Sequence, residues 1–203
     1  IGGLTKPAPI MRFPGSLHAI AVSMIGRIPV FTTFLMSIPV AVPSKFSAGI
    51  VYPLFFAIVM TPYSCYLFSK NSVSSSILEI NKTHLDIEPD ARTISKEEIK
   101  LITLNDFLNQ NEYKDKKIFV KIDTQGYEEN IVLGADKVLN QIGAIMIETS
   151  ISKVYNQEKD YLEMINLMKS FGFHVWSVER GFTNKKTGQV LQLDIIFVNS
   201  DAN

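Results

Sequence analysis

Asp123 is the residue whose position in this chain most clearly predicts chemistry. It ends a short, mainly apolar run, Ile118 to Ile122, of the length typical of a strand buried in a parallel sheet. Ligands of open α/β sheets bind outside the carboxyl ends of the strands, so a carboxylate there can orient or deprotonate a ligand hydroxyl. The alternative is that Asp123 caps the helix that follows it. The spacing alone favours neither interpretation.

The elements that would position Asp123 follow from the next residues. Gly126 gives the backbone freedom to turn. From Tyr127 onward the apolar residues fall three or four positions apart, which is typical of one face of a helix. These apolar residues are Ile131, Ala135, Val138, Leu139 and Ile142. The pattern therefore predicts a strand, an acidic residue, a tight turn and a helix.

The rest of the chain also reads as alternating strands and helices. We predict one strand that begins at Leu67. Further strands are predicted over Ile99–Thr103, Ala144–Glu148, Phe173–Val178 and Leu193–Val198. A serine-rich turn precedes Leu78, the polar residues His84 to Lys96 predict a loop, and Gly143 is expected to separate a helix from a strand. Helices are predicted around Asp106 and from Tyr161 to Phe171.

Length and composition limit the classes of function. A chain of 203 residues suits one domain with a sizeable core. Its 20 basic and 20 acidic residues cancel, which predicts no nucleic-acid partner. A single cysteine fits a reducing compartment, so a cytoplasmic location is predicted. The three histidines are far apart in sequence, and no metal site is predicted.

The charged residues are distributed unevenly along the chain. The acidic residues lie after position 78, and residues 28–44 and 46–69 contain no Asp, Glu, Lys or Arg. Residues 46–69 are numerous enough to cross a bilayer, although Pro53 and Pro62 would break a helix twice. Membrane association through residues 46–69 is therefore the alternative to a cytoplasmic location.

The segment Lys121 to Leu139, KIDTQGYEENIVLGADKVL, resembles the central motif of the FkbM-type S-adenosylmethionine-dependent methyltransferases. In that motif K-I-D-x-[EQ]-G-x-E is followed by a Leu-x-Gly-Ala helix. Ile145 to Glu148 is similar to the next strand of the family and its terminal Glu, and Phe171 to Val198 is similar to its closing hairpin. Ser74 to Leu78 and Ile102 to Phe107 resemble its Ser-Ser-x-Leu and T-L-D segments. The resemblance covers roughly residues 66 to 199.

The resemblance implies a fold, a cofactor and a reaction. The implied fold would be α/β, a Rossmann-like class I methyltransferase fold with a mixed sheet, a C-terminal antiparallel hairpin and N-terminal strands that are incomplete or aberrant. Residues 66–203 would form the C-terminal portion of the methyltransferase domain. The cofactor would be S-adenosyl-L-methionine, and the reaction O-methylation of a hydroxyl of a sugar, glycan or other small metabolite.

The resemblance also implies roles for individual residues. Asp123 would orient or deprotonate the acceptor hydroxyl, and Glu148 would lie across the same crevice; otherwise Glu148 is a surface charge. The residues expected to bind substrate are Ser75, Ser76, Gln125 and Tyr127. On composition alone the serines are a solvated linker. Glu128 is expected to favour the helix N-terminus rather than to contact substrate.

Cofactor-binding residues are not identified in this sequence. It contains no Gly-x-Gly, and residues 28–69 contain no acid that could bind ribose hydroxyls. Residues 1–65 are therefore expected to be an aberrant hydrophobic segment of a fragment, and one hypothesis is that they were translated out of frame. Two alternatives to an active enzyme follow, a catalytically inactive remnant of a methyltransferase and a membrane-anchored α/β protein.

Overall fold

The computed structural model describes residues 18–23, 49–53, 63–109, 113 and 118–200, which form a mixed α/β structure. The strands in those residues are β1 His18–Ser23, β2 Gly49–Pro53, β3 Tyr63–Ser69, β4 Thr93–Lys100, β5 Ile118–Asp123, β6 Ile142–Ser150, β7 Phe173–Arg180 and β8 Gln192–Asn199. The α-helices there are α1 Lys82–Ile87, α2 Leu104–Leu108, α3 Glu128–Leu133 and α4 Tyr161–Ser170.

Among these strands, six form one mixed sheet in the order β2-β1-β5-β6-β8-β7. The first four in that order run parallel, whereas β8 is antiparallel to both β6 and β7. β3 and β4 form a separate antiparallel pair. The predicted mixed sheet and C-terminal antiparallel hairpin are therefore confirmed.

β5 lies between β1 and β6, and its residues explain why it takes this central place. Ile118, Val120 and Ile122 on one face are fully buried and Phe119 on the other is 3 % exposed, as expected for a strand covered on both faces. The pairing register places Asp123 opposite Ser23 of β1 and Ile122 opposite Ile147 of β6. The carboxyl ends of three parallel strands therefore meet at one edge of the sheet.

The uncharged run of residues 46–69 includes β2 and β3, so it does not form one continuous helix. The remainder of that run, and most of the predicted N-terminal segment, lies outside the described residues. No helix in the part of the chain that the structure describes is long and apolar enough to cross a membrane. The predicted division at residue 65 stays a prediction.

The loop predicted over His84 to Lys96 is wrong. Residues Lys82–Ile87 form α1, which begins because the Asn81 side chain accepts a hydrogen bond from the His84 amide at 3.0 Å. From Thr93 the chain is strand β4, which pairs with β3 more than 20 residues upstream. The predicted strand over Ile99–Thr103 therefore begins and ends too late. The polar composition of these residues did not predict β4, because this strand is largely exposed and pairs with a strand that is distant in sequence.

The boundaries around Gly143 are also corrected. α3 ends at Leu133 instead of continuing toward Ile142, because the chain leaves the helix at Gly134 and closes with a 3-10 turn at Leu139–Gln141. Gly143 lies inside β6, which is buried along nearly its whole length. The apolar residues after Leu133 pack into the core as turns, so helical spacing alone overestimated the helix.

Candidate active site

A cavity of about 300 Å³ lies at the carboxyl ends of β5 and β6. Most of the described residues that line it are polar or charged, and none of them is lysine or arginine. The side chains that matter most for its chemistry are Ser74, His84, Asp123, Gln125, Glu148 and Gln192. Sheets of this kind place ligands at this edge, so the cavity is the candidate site.

Gln125 joins the two strand-end carboxyl groups. Its Nε2 donates to Asp123 Oδ1 at 2.8 Å and to Glu148 Oε2 at 2.9 Å. Its Oε1 accepts a hydrogen bond of 2.8 Å from the Tyr155 hydroxyl. Because Tyr155 occupies the carbonyl oxygen, the amide nitrogen has to face both carboxyl groups. The Gln192 amide also donates to Glu148 Oε2, at 3.1 Å.

The charges of the site are unevenly balanced. Lys121 Nζ lies 3.3 Å from Asp123 Oδ2. Burial lowers the pKa of Lys121, but the surrounding carboxylates of Asp123, Asp194 and Glu148 outweigh this and raise it. Burial, and after it the Asp123 charge, raises the pKa of Glu148 well above its ordinary range. Lys121 thus pairs with Asp123, while Glu148 holds a proton more tightly than an exposed glutamate does.

Glu128 holds the turn that carries Gln125. Gln125 and Gly126 have φ values of +56° and +96°, which is unusual for glutamine. The buried Glu128 Oε1 accepts hydrogen bonds from the Thr124 and Gly126 amides at 2.9 and 3.1 Å. The Ser76 hydroxyl donates to the Gln125 carbonyl at 2.7 Å. The strained turn is therefore fixed from both sides, and the Gln125 amide with it.

Glu158 plays the matching role for the loop after β6. Its Oε1 accepts hydrogen bonds from the amides of Val154 and Tyr155, and its Oε2 accepts one of 3.0 Å from the Ser150 hydroxyl. Burial raises the pKa of this carboxyl group, although the hydrogen bonds oppose the rise. The Tyr155 hydroxyl that orients Gln125 is thus itself held in place by a buried acid.

Glu128 predicts a pH dependence of stability. Burial raises its pKa from 4.5 to about 7 in the folded chain, so the folded state holds this proton more tightly than the unfolded state. The resulting stabilisation is complete below pH 4.5 and is lost as the pH rises through 7. As the pH rises from 4.5 to above 7, the free energy of unfolding of the wild type should fall by about 3 kcal/mol more than that of the Glu128→Gln variant. Urea denaturation at each pH measures both values.

Glu129→Gln is the matched control for that measurement. Glu129 is the next residue of α3, and its partly exposed carboxylate pairs with Lys159 at 3.2 Å. Its variant should keep the pH profile of the wild type. Equal losses in the wild type and Glu128→Gln would contradict the assignment of the pH dependence to Glu128.

The structure brings three of the predicted site residues together. Asp123, Gln125 and Glu148 all line the cavity. Asp123 does not cap α3, since the N-cap of that helix is Tyr127 and the Asp123 carboxylate instead bonds Lys121 and Gln125. Glu148 is not a surface charge beyond a strand, because β6 continues past it to Ser150. The capping role of Asp123 is therefore wrong, and its role in binding or catalysis stays a prediction.

The other three predicted substrate-binding residues lie behind the cavity wall. Ser75 and Ser76 are almost fully buried, so they are not a solvated linker. Ser75 Oγ donates to the Ser72 carbonyl at 2.7 Å, and Ser76 Oγ supports the Gln125 turn. Tyr127 is 5 % exposed and belongs to the core. It is Ser74 that reaches the cavity.

Sequence reasoning missed several residues of the site. His84, Tyr155, Phe182 and Gln192 come from four separate segments; His84 was placed in a loop, and no role was predicted for the other three. These residues lie close together only in the folded chain, and no local pattern in a single sequence indicates that. Within the described residues, no group of three or more His, Cys, Asp or Glu side chains is placed to hold a metal ion.

The comparison with known families identifies one match. The model described as the Methyltransferase FkbM domain matches residues 56–175, more than half of the 203-residue chain. The matched range contains Asp123, Gln125 and Glu148, and the family is the one that the motif around Asp123 resembles. That prediction is confirmed. No curated protein and no solved structure matches the chain.

Proposed function

Because this chain belongs to the FkbM methyltransferase family, we propose that it transfers the methyl group of S-adenosyl-L-methionine to a hydroxyl of a sugar, glycan or small metabolite. One observation carries the proposal. Asp123 ends β5, Glu148 lies near the end of the adjacent parallel strand β6, and both are joined by the Gln125 amide and face one cavity. The proposed partners are thus small molecules or glycans, and the proposed location is the cytoplasm.

The sheet order supports a Rossmann-like class I methyltransferase fold. In β2-β1-β5-β6-β8-β7 the strand order reverses beside β1, and such a switch point is where open α/β sheets bind nucleotides. β1 ends at Ser23, which pairs with Asp123. We place the cofactor at the end of β1 and the acceptor in the cavity over β5, β6 and β8.

The described residues fit the reacting end of S-adenosylmethionine better than its ribose. Its sulfonium is positively charged, and the described lining of the cavity contains Glu88 and Asp123 with no lysine or arginine, while Lys121 beside the cavity pairs with Asp123. The ribose is usually bound by an acid after the second strand, but no Asp or Glu precedes Glu79 in this sequence. The acidic lining therefore supports binding of the sulfonium end of the cofactor. The ribose hydroxyls would have to be bound by residues other than an acid at the end of the second strand.

Asp123 is assigned as the base of the reaction. Lys121 and Gln125 each contact a different oxygen of its carboxylate, so the group is held in one orientation. When bound, S-adenosylmethionine supplies an electrophilic methyl group. The acceptor oxygen would gain the methyl group as the bond between the methyl carbon and sulfur breaks, S-adenosylhomocysteine would leave, and Asp123 would take up the acceptor proton as a general base. Alignment of the acceptor in a site that excludes water accounts for the remaining rate enhancement.

Glu148 is assigned to binding the acceptor. Its Oε2 accepts both amide hydrogen bonds, and Oε1 receives none from a described residue. Burial raises the pKa of this carboxyl group, and in its protonated form Oε1 can donate to an acceptor oxygen in the cavity. Asp123 would then remove the proton of the acceptor hydroxyl, and Glu148 would bind the acceptor.

Titration with the cofactor tests the proposal. We expect the full chain to bind S-adenosylmethionine with a Kd below about 1 mM, the upper range of enzyme substrate constants, measured by isothermal titration calorimetry and by thermal shift. A second sample with tritiated methyl donor and a panel of hydroxyl acceptors measures transfer. Absence of both heat and thermal shift at millimolar cofactor would contradict the proposal and favour an inactive remnant.

A further inference from the structure

His84 is the residue that anchors α1 to the wall of the cavity. It is the only buried side chain of that helix, with 3 % of its surface exposed. Its ring stacks on Phe182 between β7 and β8, with centroids 5.5 Å apart and planes at 14°, and is tilted against Tyr155 at 5.7 Å. The apolar residues Leu85 and Ile87 of α1 are only half-buried and lie outside the core cluster of the described residues. The contact of α1 with the wall therefore depends mainly on one aromatic ring.

The two ends of α1 are fixed independently of this ring. Before the helix, the Asn81 amide donates to the Val154 carbonyl at 3.0 Å. After the helix, the Asn71 amide donates to the Asp90 carbonyl at 2.8 Å. The six residues of α1 lie between these two tethers. The helix can therefore leave the wall by a local movement while the rest of the fold is retained.

The surroundings of the His84 ring suit its neutral form. Both ring nitrogens are shielded from solvent, and neither hydrogen-bonds to a described residue. A protonated ring has two N–H donors and a positive charge, and burying these without acceptors costs free energy. Burial accordingly lowers the pKa of His84, although the negative charge of Glu88 opposes the effect. The docked helix therefore binds a proton on His84 less tightly than an undocked helix would.

The groups around the ring compensate a positive charge only in part. Phe182 carries no charge, and the Tyr155 hydroxyl stays neutral because burial raises its pKa. Glu88, which follows α1, is the carboxylate whose charge favours the protonated ring. Asp123 and Glu148 line the same cavity, but their hydrogen bonds go to side chains other than this ring. Protonation of the docked ring thus remains unfavourable.

From this geometry we infer that α1 is a pH-sensitive cover of the active site, which stays docked while His84 is neutral and is released when acidification protonates the ring. Undocking moves Glu88 out of the wall and opens the cavity to water. The rate of methyl transfer then falls, because the reaction depends on aligned reactants in a site that excludes water. The undocking itself does not depend on the proposed function, whereas its effect on methyl transfer rests on that function.

Linkage between protonation and docking gives the sign and size of the expected effect. Because docking lowers the pKa of His84 below its ordinary value of 6.5, docking is most stable above that pH and weakens as the pH falls below it. One proton changes an equilibrium by at most about ten-fold per pH unit, so the docking constant should fall about three- to ten-fold from about pH 7.5 to about pH 5.5. Protonation of Glu128 stabilises the whole fold over the same range, so global unfolding would respond in the opposite direction.

Hydrogen exchange of the full chain without cofactor measures the docking. We would follow the backbone amides of α1 by mass spectrometry at both pH values and correct their rates for the intrinsic exchange rate at each pH. The protection of α1 should fall about three- to ten-fold at the lower pH, while α4 keeps its protection as the reference helix. In long-range ¹H–¹⁵N spectra the His84 ring should titrate below pH 6.5.

Two variants separate titration from packing. His84→Phe keeps an aromatic ring against Phe182 but cannot be protonated, so the protection of its α1 should not change with pH. His84→Ala removes the ring, so α1 should be unprotected at both pH values while α4 is unchanged. The inference is wrong if α1 of the wild type is equally protected at both pH values or unprotected at the higher one. It is also wrong if His84→Phe loses protection as the wild type does, or if His84→Ala keeps it.

The rate of methyl transfer at the two pH values connects the cover to the site. The ratio of the rate at the higher pH to the rate at the lower pH should be at least about three-fold larger in the wild type than in His84→Phe, and equal ratios would contradict the effect on the site. A chain whose α1 undocks but which binds no S-adenosylmethionine contradicts the proposed function and leaves the cover supported. A chain that transfers methyl groups while α1 stays protected at both pH values contradicts the inference alone.

Discussion

Replacing Asp123 with Asn is expected to lower the rate of methyl transfer by roughly 10²–10⁴-fold, the range that a positioned general base contributes. Asn keeps the size of the side chain and can still contact the Gln125 amide region, but it cannot take up the acceptor proton. The measurement is initial-rate transfer of a tritiated methyl group under saturating cofactor. The side chain is partly exposed at the cavity, so the fold should persist, which circular dichroism can verify.

The matched control for Asp123 is Asp86→Asn. Asp86 is an exposed residue of α1 that does not line the cavity, and the substitution removes the same charge from the same chain. Its transfer rate should stay within two-fold of the wild type, as about 0.4 kcal/mol or less separates such rates. If Asp123→Asn retained most of its activity while Asp86→Asn behaved likewise, Asp123 would not be the base.

Gly126→Ala is expected to be the most destabilising single substitution proposed here. The backbone at Gly126 has φ +96°, and an added Cβ would lie 2.8 Å from Tyr155 Cβ and 3.2 Å from Leu78 Cδ1. The strained backbone costs about 1–2 kcal/mol and the overpacking about 1–3 kcal/mol. We expect the free energy of unfolding to fall by roughly 2–5 kcal/mol in urea denaturation. Displacement of Tyr155 should also disturb its hydrogen bond to Gln125.

Gly188→Ala separates the two contributions. Gly188 has a similar backbone, with φ +78°, but an added Cβ there meets nothing within 4 Å. Its cost should be limited to the backbone, about 1–2 kcal/mol. Equal destabilisation by Gly126→Ala and Gly188→Ala would show that the contact with Tyr155 does not contribute.

The part of the site nearest the family motif was predictable because its signals are local. A buried strand that ends in Asp123, a glycine that permits positive φ and the start of a helix are encoded within about a dozen consecutive residues. The structure places β5, the turn and α3 in that order. Glu128 was interpreted as a helix-terminal charge, and it does begin α3, but its carboxylate folds back onto the turn amides.

The serine-rich segment shows where composition misleads. Ser74, Ser75 and Ser76 have the composition of a solvated linker, yet all three are buried because the segment packs beside the Gln125 turn. The Ser76 hydroxyl reaches a residue 49 positions away. Burial of this kind depends on what the rest of the chain covers, and polarity alone does not report it.

The amino-acid sequence by itself determined the strand, turn and helix around Asp123, the mixed α/β class and the family, because each depends on residues that are close together or on a motif of fixed spacing. Only the tertiary structure decided that Gln125 links Asp123 to Glu148, that Tyr155 orients Gln125, and that the His84 ring lies in the same wall. These contacts join segments tens of residues apart. Chain folding brings them together and removes water from between them, and that burial raises the pKa of Glu148.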